Sequence, residues 1–132
     1  MTSHTIRITD AAALLGVSDD TVRRWAESGR LEVVKDAGGR QAVGGEQLAA
    51  LAQELAVESP LGPGSPMSTR NRLTGIVTRI VKDTVMAQVE VQAGPFRIVS
   101  LVSREAVDEL GLEVGSVAAA TIKATSVGIS LP

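Results

Sequence analysis

Two short clusters of cations and hydrogen-bond donors stand near the ends of the second half of the chain, at residues 68–71 and 123–126. A tetrahedral oxyanion with two negative charges offers only acceptors, so it must be surrounded by donors and positive charge. Arg70 supplies a planar fork of donors and Lys123 supplies a point charge. The two clusters therefore have the chemistry that an oxyanion site needs. Its further donors are the Asn71 amide and the hydroxyls of Ser68, Ser103, Thr125 and Ser126.

Ser103 belongs to this set because it precedes a predicted helix, residues 104–110. The free backbone N–H groups and the dipole at a helix start favour an anion. Several donors have an alternative structural role. Asn71 would bond backbone at the mouth of a barrel, Arg70 would pair with a carboxylate such as Glu105, and Lys123 would be a solvated charge at a strand end. The hydroxyls that would instead cap turns are those of Ser68 and Thr125.

The composition excludes several other chemistries. The 132 residues include no cysteine, and the single histidine is His4, which excludes thiolate sites, multi-histidine metal sites and histidine catalysis. Neither a nucleophile–base pair nor a glycine-rich phosphate loop can be assembled, so we expect no enzyme and no organic cofactor. No apolar run approaches the ~20 residues of a membrane helix, and no signal peptide is recognisable. We therefore expect a cytoplasmic protein without a membrane partner.

A segment rich in proline and glycine, residues 58–66, divides the chain. Proline removes backbone donors and glycine costs entropy when it is ordered, so this segment is predicted to be a linker between domains 1–57 and 67–132. Residues 1–67 hold six Lys and Arg against nine Asp and Glu, a net charge of −3, and the remainder holds seven against six, a net charge of +1. Neither half therefore presents a strongly basic field.

The first half of the chain has helical periodicity. Apolar spacing predicts a helix over residues 8–15 with Thr9 as its cap, and a second helix runs from the Ser18 cap to about Ser28. A hairpin follows over residues 31–43, and a last helix covers residues 48–55. This layout predicts a mainly α winged helix-turn-helix domain.

The second helix of this domain would read DNA. With Val22, Trp25 and Ala26 facing the core, Arg24 faces outward. The alternative is a solvated helix with Asp19–Arg23 and Asp20–Arg24 pairs, each worth ~0.2–0.5 kcal/mol. Few basic groups imply weak binding by one module, so two or more modules would share a site. The predicted DNA-binding residues are Ser18, Thr21, Arg23 and Arg24 on the helix and Lys35 and Arg40 on the wing.

The second half changes to the two-residue period of strands. It predicts a five-stranded OB-like β-barrel with one short helix. A barrel this small is filled by its own side chains, so anion sites would lie on its outer surface and be shared between chains. The predicted strands cover residues 73–81, 85–91, 96–102, 117–122 and 127–131.

Both halves resemble known families. Residues 8–18 and 21–25, followed by Gly29-Arg30-Leu31 and Gly38-Gly39-Arg40, resemble the MerR/excisionase-type DNA-binding module. Residues 68–75, 103–112 and 122–127 resemble the molbindin (Mop, TOBE-like) domain, although Thr69 stands where alanine is common. The second resemblance implies a barrel that binds molybdate or tungstate, usually between subunits. It places the ligands in the two donor clusters, with Ala124 contributing its backbone.

Together these features predict a molybdate- or tungstate-responsive DNA-binding transcription regulator. Its partners would be DNA, the oxyanion and further copies of itself, as a dimer or as a hexamer built from three dimers. No bare metal cation is expected. The alternative is an intracellular storage or buffering protein for the same oxyanions, whose helical half docks a partner protein. The acidic balance of residues 1–67 favours that alternative.

Overall fold

A computed structural model describes residues 4–56, 61–62 and 64–132. The chain folds into two compact units, of which the first ends at Ala56. Each unit has its own hydrophobic core and is described by itself. Residues 57–60 and 63, which include part of the predicted linker, lie outside the described residues.

The first unit combines three helices with a small antiparallel sheet, whose strand order is β1-β3-β2. The predicted helices and hairpin are present. The short first strand, which pairs with the end of the hairpin, was not predicted. The elements are β1 (Thr5–Arg7), α1 (Ile8–Leu15), α2 (Asp19–Glu27), β2 (Val33–Lys35), β3 (Gln41–Gly44) and α3 (Gly45–Leu55).

Local chemistry fixes the turn between the first two helices. Helix α1 ends at Gly16, whose φ of 68° is a left-handed conformation that favours glycine. Ser18 caps α2, as predicted, because its hydroxyl accepts a hydrogen bond from the Thr21 N–H at 3.1 Å. The predicted Thr9 cap is wrong: the cap residue of α1 is Arg7, and Thr9 lies within the helix.

The core of the first unit joins all three helices to the sheet. Val22 of α2 and Val43 of β3 are fully buried, and the half-buried Trp25 packs against this core, as predicted. Beyond α2, the Arg30 guanidinium lies 5.9 Å from the centre of the Trp25 ring and forms an ion pair with Glu54 of α3 at 3.1 Å. These contacts tie the end of α2 to α3.

The second unit is a curled antiparallel sheet with strand order β6-β5-β4-β7 and one short helix. A shift of register between Val77 and Arg79 bends β4, as a bulge does. At Gly75, a Cβ atom would overlap the carbonyl oxygen of Gln92, so this close approach of β4 and β5 requires glycine. The elements are β4 (Asn71–Lys82), β5 (Met86–Ala93), β6 (Phe96–Ser103), α4 (Arg104–Leu110), β7 (Val117–Ile122) and a 3-10 turn (Ala124–Ser126).

The core of this unit lies between the concave face of the sheet and α4. Val77, Val89 and Val91 from the strands and Val107 from the helix are buried. The alternation of β5 predicted this inner face. Its opposite face includes Glu90, which is 5% exposed and pairs with Arg79 and Arg97.

The predicted fifth strand, residues 127–131, does not form within the chain. The segment has the two-residue apolar period of a strand, but no neighbouring strand of the described chain pairs with it. Ile129 and Leu131 are each 92% exposed as a result. The physical reason is that apolar alternation indicates which face of a strand favours burial, but it does not indicate which neighbouring strand or chain covers that face. We call residues 127–132 the C-terminal arm.

Candidate oxyanion site and nucleic-acid interface

The two donor clusters meet where β4 begins and β7 ends. Asn71 is in register with Ile122, and the Asn71 side-chain amide donates a hydrogen bond to the Ile122 carbonyl at 3.1 Å. Residues 68–70 lead into this pair, and residues 123–126 lead out of it. In this structure Asn71 therefore has the alternative role, in which its side chain bonds to backbone. The same hydrogen bond brings the two clusters together.

Two cations at this end of the sheet have no counter-charge. Arg70 and Lys123 are exposed, and neither side chain forms an ion pair or hydrogen bond with any described residue. The alternative pair between Arg70 and Glu105 is absent in the described part of the chain, where Glu105 lies in the first turn of α4. Two uncompensated positive charges favour a doubly negative ligand.

The hydroxyls of the clusters are also uncommitted. Ser68, Thr125 and Ser126 are exposed, and none of their hydroxyls caps a turn among the described residues. The Ser126 N–H donates to the Lys123 carbonyl at 2.9 Å, which folds residues 124–126 into the 3-10 turn. The first N–H groups of such a turn lack partners within it, so the backbone at Ala124 adds donors at the same place.

Ser103 lies elsewhere in the unit. It ends β6 opposite Met86, the first residue of β5, and so it stands near the far end of β4 from Asn71. Its hydroxyl accepts a hydrogen bond from the Ala106 N–H at 3.0 Å and thereby caps α4. Within one chain, the structure therefore does not bring Ser103 together with the other predicted oxyanion ligands.

A row of side chains orients one arginine on α2. The Ser18 and Thr21 hydroxyls lie 2.9 Å apart, and the Arg24 guanidinium donates to the Thr21 hydroxyl at 3.4 Å. Thr21 therefore positions Arg24 rather than presenting a free hydroxyl. A guanidinium held on an exposed helix face can reach bases or phosphates.

Arg23 points to a nearby acid instead. Its guanidinium lies 4.0 Å from the Asp20 carboxylate, one helical turn earlier, and both side chains are largely exposed. The Asp19–Arg23 and Asp20–Arg24 pairs of the alternative interpretation do not form among the described residues of this helix, where Asp20 pairs with Arg23 instead. An ion pair at this distance between exposed groups is weak, so the Arg23 guanidinium is able to leave Asp20 and bind a phosphate instead.

The hairpin tip is shaped by Asp36, which lies in the predicted hairpin. The Asp36 carboxylate accepts hydrogen bonds from the N–H groups of Gly38 at 2.9 Å and Arg40 at 3.0 Å, and lies 3.8 Å from the Arg7 guanidinium. The bond from Arg40, with smaller help from Gly38 and Arg7, holds the pKa of Asp36 below its ordinary value. The Asp-x-Gly spacing is the signal that predicts this turn. Lys35 and Arg40 are exposed on either side of it.

The chain thus combines a helix-turn-helix unit with a curled sheet, and the two exposed cations at one end of that sheet are not paired with any described residue. None of the helices that the structure describes could span a membrane. The described residues contain no group of three acidic or histidine side chains that could hold a metal ion.

Comparison with known proteins gives the families. Residues 67–129 match the TOBE domain, and residues 5–54 match a helix-turn-helix domain. Molybdenum-pterin-binding protein 1 of Clostridium pasteurianum is 39% identical over 64 residues, which are 48% of this chain and 94% of that protein. A probable molybdenum-pterin-binding protein of Haemophilus influenzae is 46% identical over 66 residues, 49% of this chain and 96% of that protein.

The chain therefore belongs to the TOBE-domain, or molbindin, family, and it carries a helix-turn-helix domain in front of that domain. A solved molybdate binding protein from Sporomusa ovata is 31% identical with a TM-score of 0.49, over 51% of this chain and all of that protein. The predicted resemblance to molbindins and the predicted helix-turn-helix are confirmed. The MerR-type assignment of the latter stays a prediction.

Proposed function

We propose that this protein is a DNA-binding transcription regulator that responds to molybdate or tungstate. The observation that carries the proposal is the Asn71–Ile122 hydrogen bond, which unites two clusters whose cations, Arg70 and Lys123, have no partner in the described chain. The relatives are named for binding molybdenum-pterin, which supports a molybdenum compound as the ligand. The helix-turn-helix domain supports DNA as the second partner.

Charge and donor geometry support a bare oxyanion. A doubly negative ion would be neutralised by the two cations, and its oxygens would accept hydrogen bonds from hydroxyl, amide and backbone N–H groups. A charge-assisted hydrogen bond contributes about 1.5–3 kcal/mol. The proposed ligands in one chain are Ser68, Arg70, Asn71, Lys123, Ala124, Thr125 and Ser126.

Two features support an oligomer, with the oxyanion bound at subunit interfaces. Ser103 lies away from the other ligands in its own chain, so it would join them only from another copy. The C-terminal arm carries Val127, Ile129 and Leu131 on one side, with 43%, 92% and 92% exposure. Burial of such a side chain contributes about 1.5–3 kcal/mol, so an arm laid on a second copy would drive assembly into a dimer or a hexamer.

The DNA interface would consist of α2 and the hairpin, in the manner of a winged helix-turn-helix. Arg24, positioned by Thr21, and Arg23 would meet the major groove, while Lys35 and Arg40 would meet the phosphate backbone. Ser18 would hold the start of the helix. This role requires the compartment that contains the DNA, in agreement with the expected cytoplasmic location. The storage alternative is not favoured, because a helix-turn-helix domain precedes the barrel.

Calorimetric titration of the full chain with molybdate tests the ligand. We expect binding by the wild type, and an affinity at least about tenfold lower in Lys123→Gln. Lys82→Gln is the matched control, because Lys82 pairs with Asp108 near the other end of β4. Absence of binding by the wild type would refute the ligand assignment.

Fluorescence anisotropy with selected DNA fragments, with and without molybdate, tests the sensor. If the oxyanion links copies of the barrel, ligand binding and DNA binding must influence each other reciprocally. We expect two separated binding curves. Superimposable curves would remove the regulatory claim and leave a DNA-binding protein with a separate anion site.

A further inference from the structure

Arg72 makes a contact that the oxyanion chemistry does not explain. Its guanidinium donates a hydrogen bond to the Ser65 carbonyl at 3.1 Å and lies 3.9 Å from the Met67 sulfur. Arg72 is in β4, opposite Thr121 of β7. One side chain of the sheet thus fastens the backbone that leads into Ser68.

The same guanidinium also lies close to Gly64. A Cβ atom at position 64 would overlap the Arg72 guanidinium atoms, and Gly64 has a φ of 67°, which disfavours any other residue. Gly64 and Arg72 therefore fit each other through the missing side chain of the glycine. We call the contacts among Arg72, Gly64, Ser65 and Met67 the clamp.

The clamp does not serve as an ordinary ion pair. No carboxylate pairs with Arg72 in the part of the chain that the structure describes. The Arg72 Nε atom is buried without a hydrogen-bond partner, which costs free energy. An arginine enclosed in this way, next to Asn71, is better explained by what it holds in place than by its charge.

We propose that Arg72 is a positioning residue of the oxyanion site. By fastening residues 64–67 to β4, it closes a short loop that contains Ser68 and Arg70, and it fixes both near Asn71 before the anion arrives. The inference rests on the proposed function, because it concerns the same site. Its physical basis is preorganisation: a loop that is already ordered loses less conformational entropy on binding.

The clamp can be weakened from either side. Arg72→Gln removes the guanidinium together with its charge, whereas Gly64→Ala keeps the charge and displaces the guanidinium. Arg79→Gln is the matched control, since it removes the same charge from the same strand without touching the clamp. If Arg72→Gln does not fold, Gly64→Ala alone decides the question.

The first measurement is independent of any ligand. The chain has three methionines, and labelling their methyl groups gives Met67 as a reporter of the clamp and Met86 of β5 as an internal reference. In the full chain without molybdate, we expect the methyl order parameter of Met67 to fall by about half in both clamp variants. That of Met86 should not change. An unchanged Met67 in the folded variants would overturn the clamp.

The second measurement is the affinity for molybdate. We expect about three- to tenfold weaker binding in Arg72→Gln and in Gly64→Ala, and an unchanged affinity in Arg79→Gln. Equal losses in Arg72→Gln and Arg79→Gln, with none in Gly64→Ala, would show a general charge effect and overturn the positioning role. If the wild type binds no molybdate, the proposed function and the positioning role both fail, while the Met67 result still decides whether the clamp exists.

Discussion

Gly75 has a specific structural task in the second unit. The backbones of β4 and β5 approach so closely there that a Cβ atom would overlap the Gln92 carbonyl oxygen. The obstacle is backbone, which cannot rotate away as a side chain can. We expect Gly75→Ala to lower the free energy of unfolding by about 2–4 kcal/mol, as denaturant titration would measure.

Gly44→Ala is the control for this prediction. A Cβ atom at Gly44 meets no atom within 4 Å, and its φ of −69° is not left-handed, so the same chemical change should have a much smaller effect. Equal stability of the Gly75 and Gly44 variants would mean that the strands separate at little cost.

In the proposed DNA interface, Asp20 would compete with a DNA phosphate for Arg23. Its carboxylate lies 4.0 Å from the Arg23 guanidinium, and a DNA phosphate would also be repelled by it. We expect Asp20→Asn to raise affinity for DNA several-fold, while helix stability falls by about 0.3–1 kcal/mol because a first-turn acid favours the helix dipole. Anisotropy titration measures the first effect and thermal unfolding the second.

Asp10→Asn controls for net charge in that experiment. Asp10 is in the first turn of α1, so the substitution changes the charge of the chain equally without releasing Arg23. Equal gains from both substitutions would show that only the overall charge of the domain matters.

Among elements, the turn between β4 and β5 depends on one carboxylate. Asp83 accepts hydrogen bonds from the N–H groups of Met86 at 2.7 Å and Val85 at 2.8 Å, and these bonds lower its pKa. A lowered pKa in the folded state means that the ionised group stabilises the fold above the ordinary value of about 3.9, and that this stability is lost as the pH falls through the lower value.

We therefore expect Asp83→Ala to lower the melting temperature at neutral pH and to differ less from wild type as the pH falls below about 4. Melting curves followed by circular dichroism from pH 7 to pH 2 would measure this. A difference that stays constant over that range would exclude the ionised form as the source of the stability.

The C-terminal arm pairs with no strand among the described residues of its own chain. Because Ile129 and Leu131 are each 92% exposed, we expect removal of residues 127–132 to reduce the proposed oligomer to smaller species, as native mass spectrometry would detect. Leu14→Ser is the control, since it removes another exposed apolar side chain, 69% exposed, from the first unit. An unchanged mass distribution after truncation would place the interface elsewhere.

Hydrophobic periodicity predicted an element correctly where the same chain also supplies the residues that cover its apolar face. The alternation of β5 identified its buried side, while the second unit's helix was predicted at its observed bounds from the Ser103 cap and from Gly111 at its end. Periodicity did not predict β1, because three residues are too short to carry a pattern. It predicted residues 127–131 as a strand, yet the pairing of a strand depends on a neighbour that the sequence pattern does not specify.

The candidate site was predictable in part for the same reason. The chemistry of Arg70 and Lys123 was evident from residue type, and the register of Asn71 with Ile122 joins their clusters. The separate position of Ser103 depends on the order of the strands, which residue type does not report. Arg72 was missed because its role depends on a tertiary contact with Ser65.

At the scale of the whole molecule, the net negative charge of the first 67 residues would limit the affinity of the proposed interface for DNA. Six Lys and Arg face nine Asp and Glu there, and four of the cations belong to the proposed DNA interface. If each neutralises one phosphate, log K should fall against log salt with a slope of about −3.6 for one module and about −7 for two. Anisotropy titrations over a salt series measure the slope, and a slope near zero would rule out binding by these cations.

Trp25 gives the molecule a built-in optical reporter. It is the single tryptophan of a chain that has no tyrosine, and it is half-buried under Arg30 in the first unit. Indole emission therefore follows the melting of the helical half alone, whereas far-ultraviolet dichroism records both halves. Comparing the two signals during heating would reveal whether molybdate, added as a ligand of the second unit, also changes the melting temperature of the first unit.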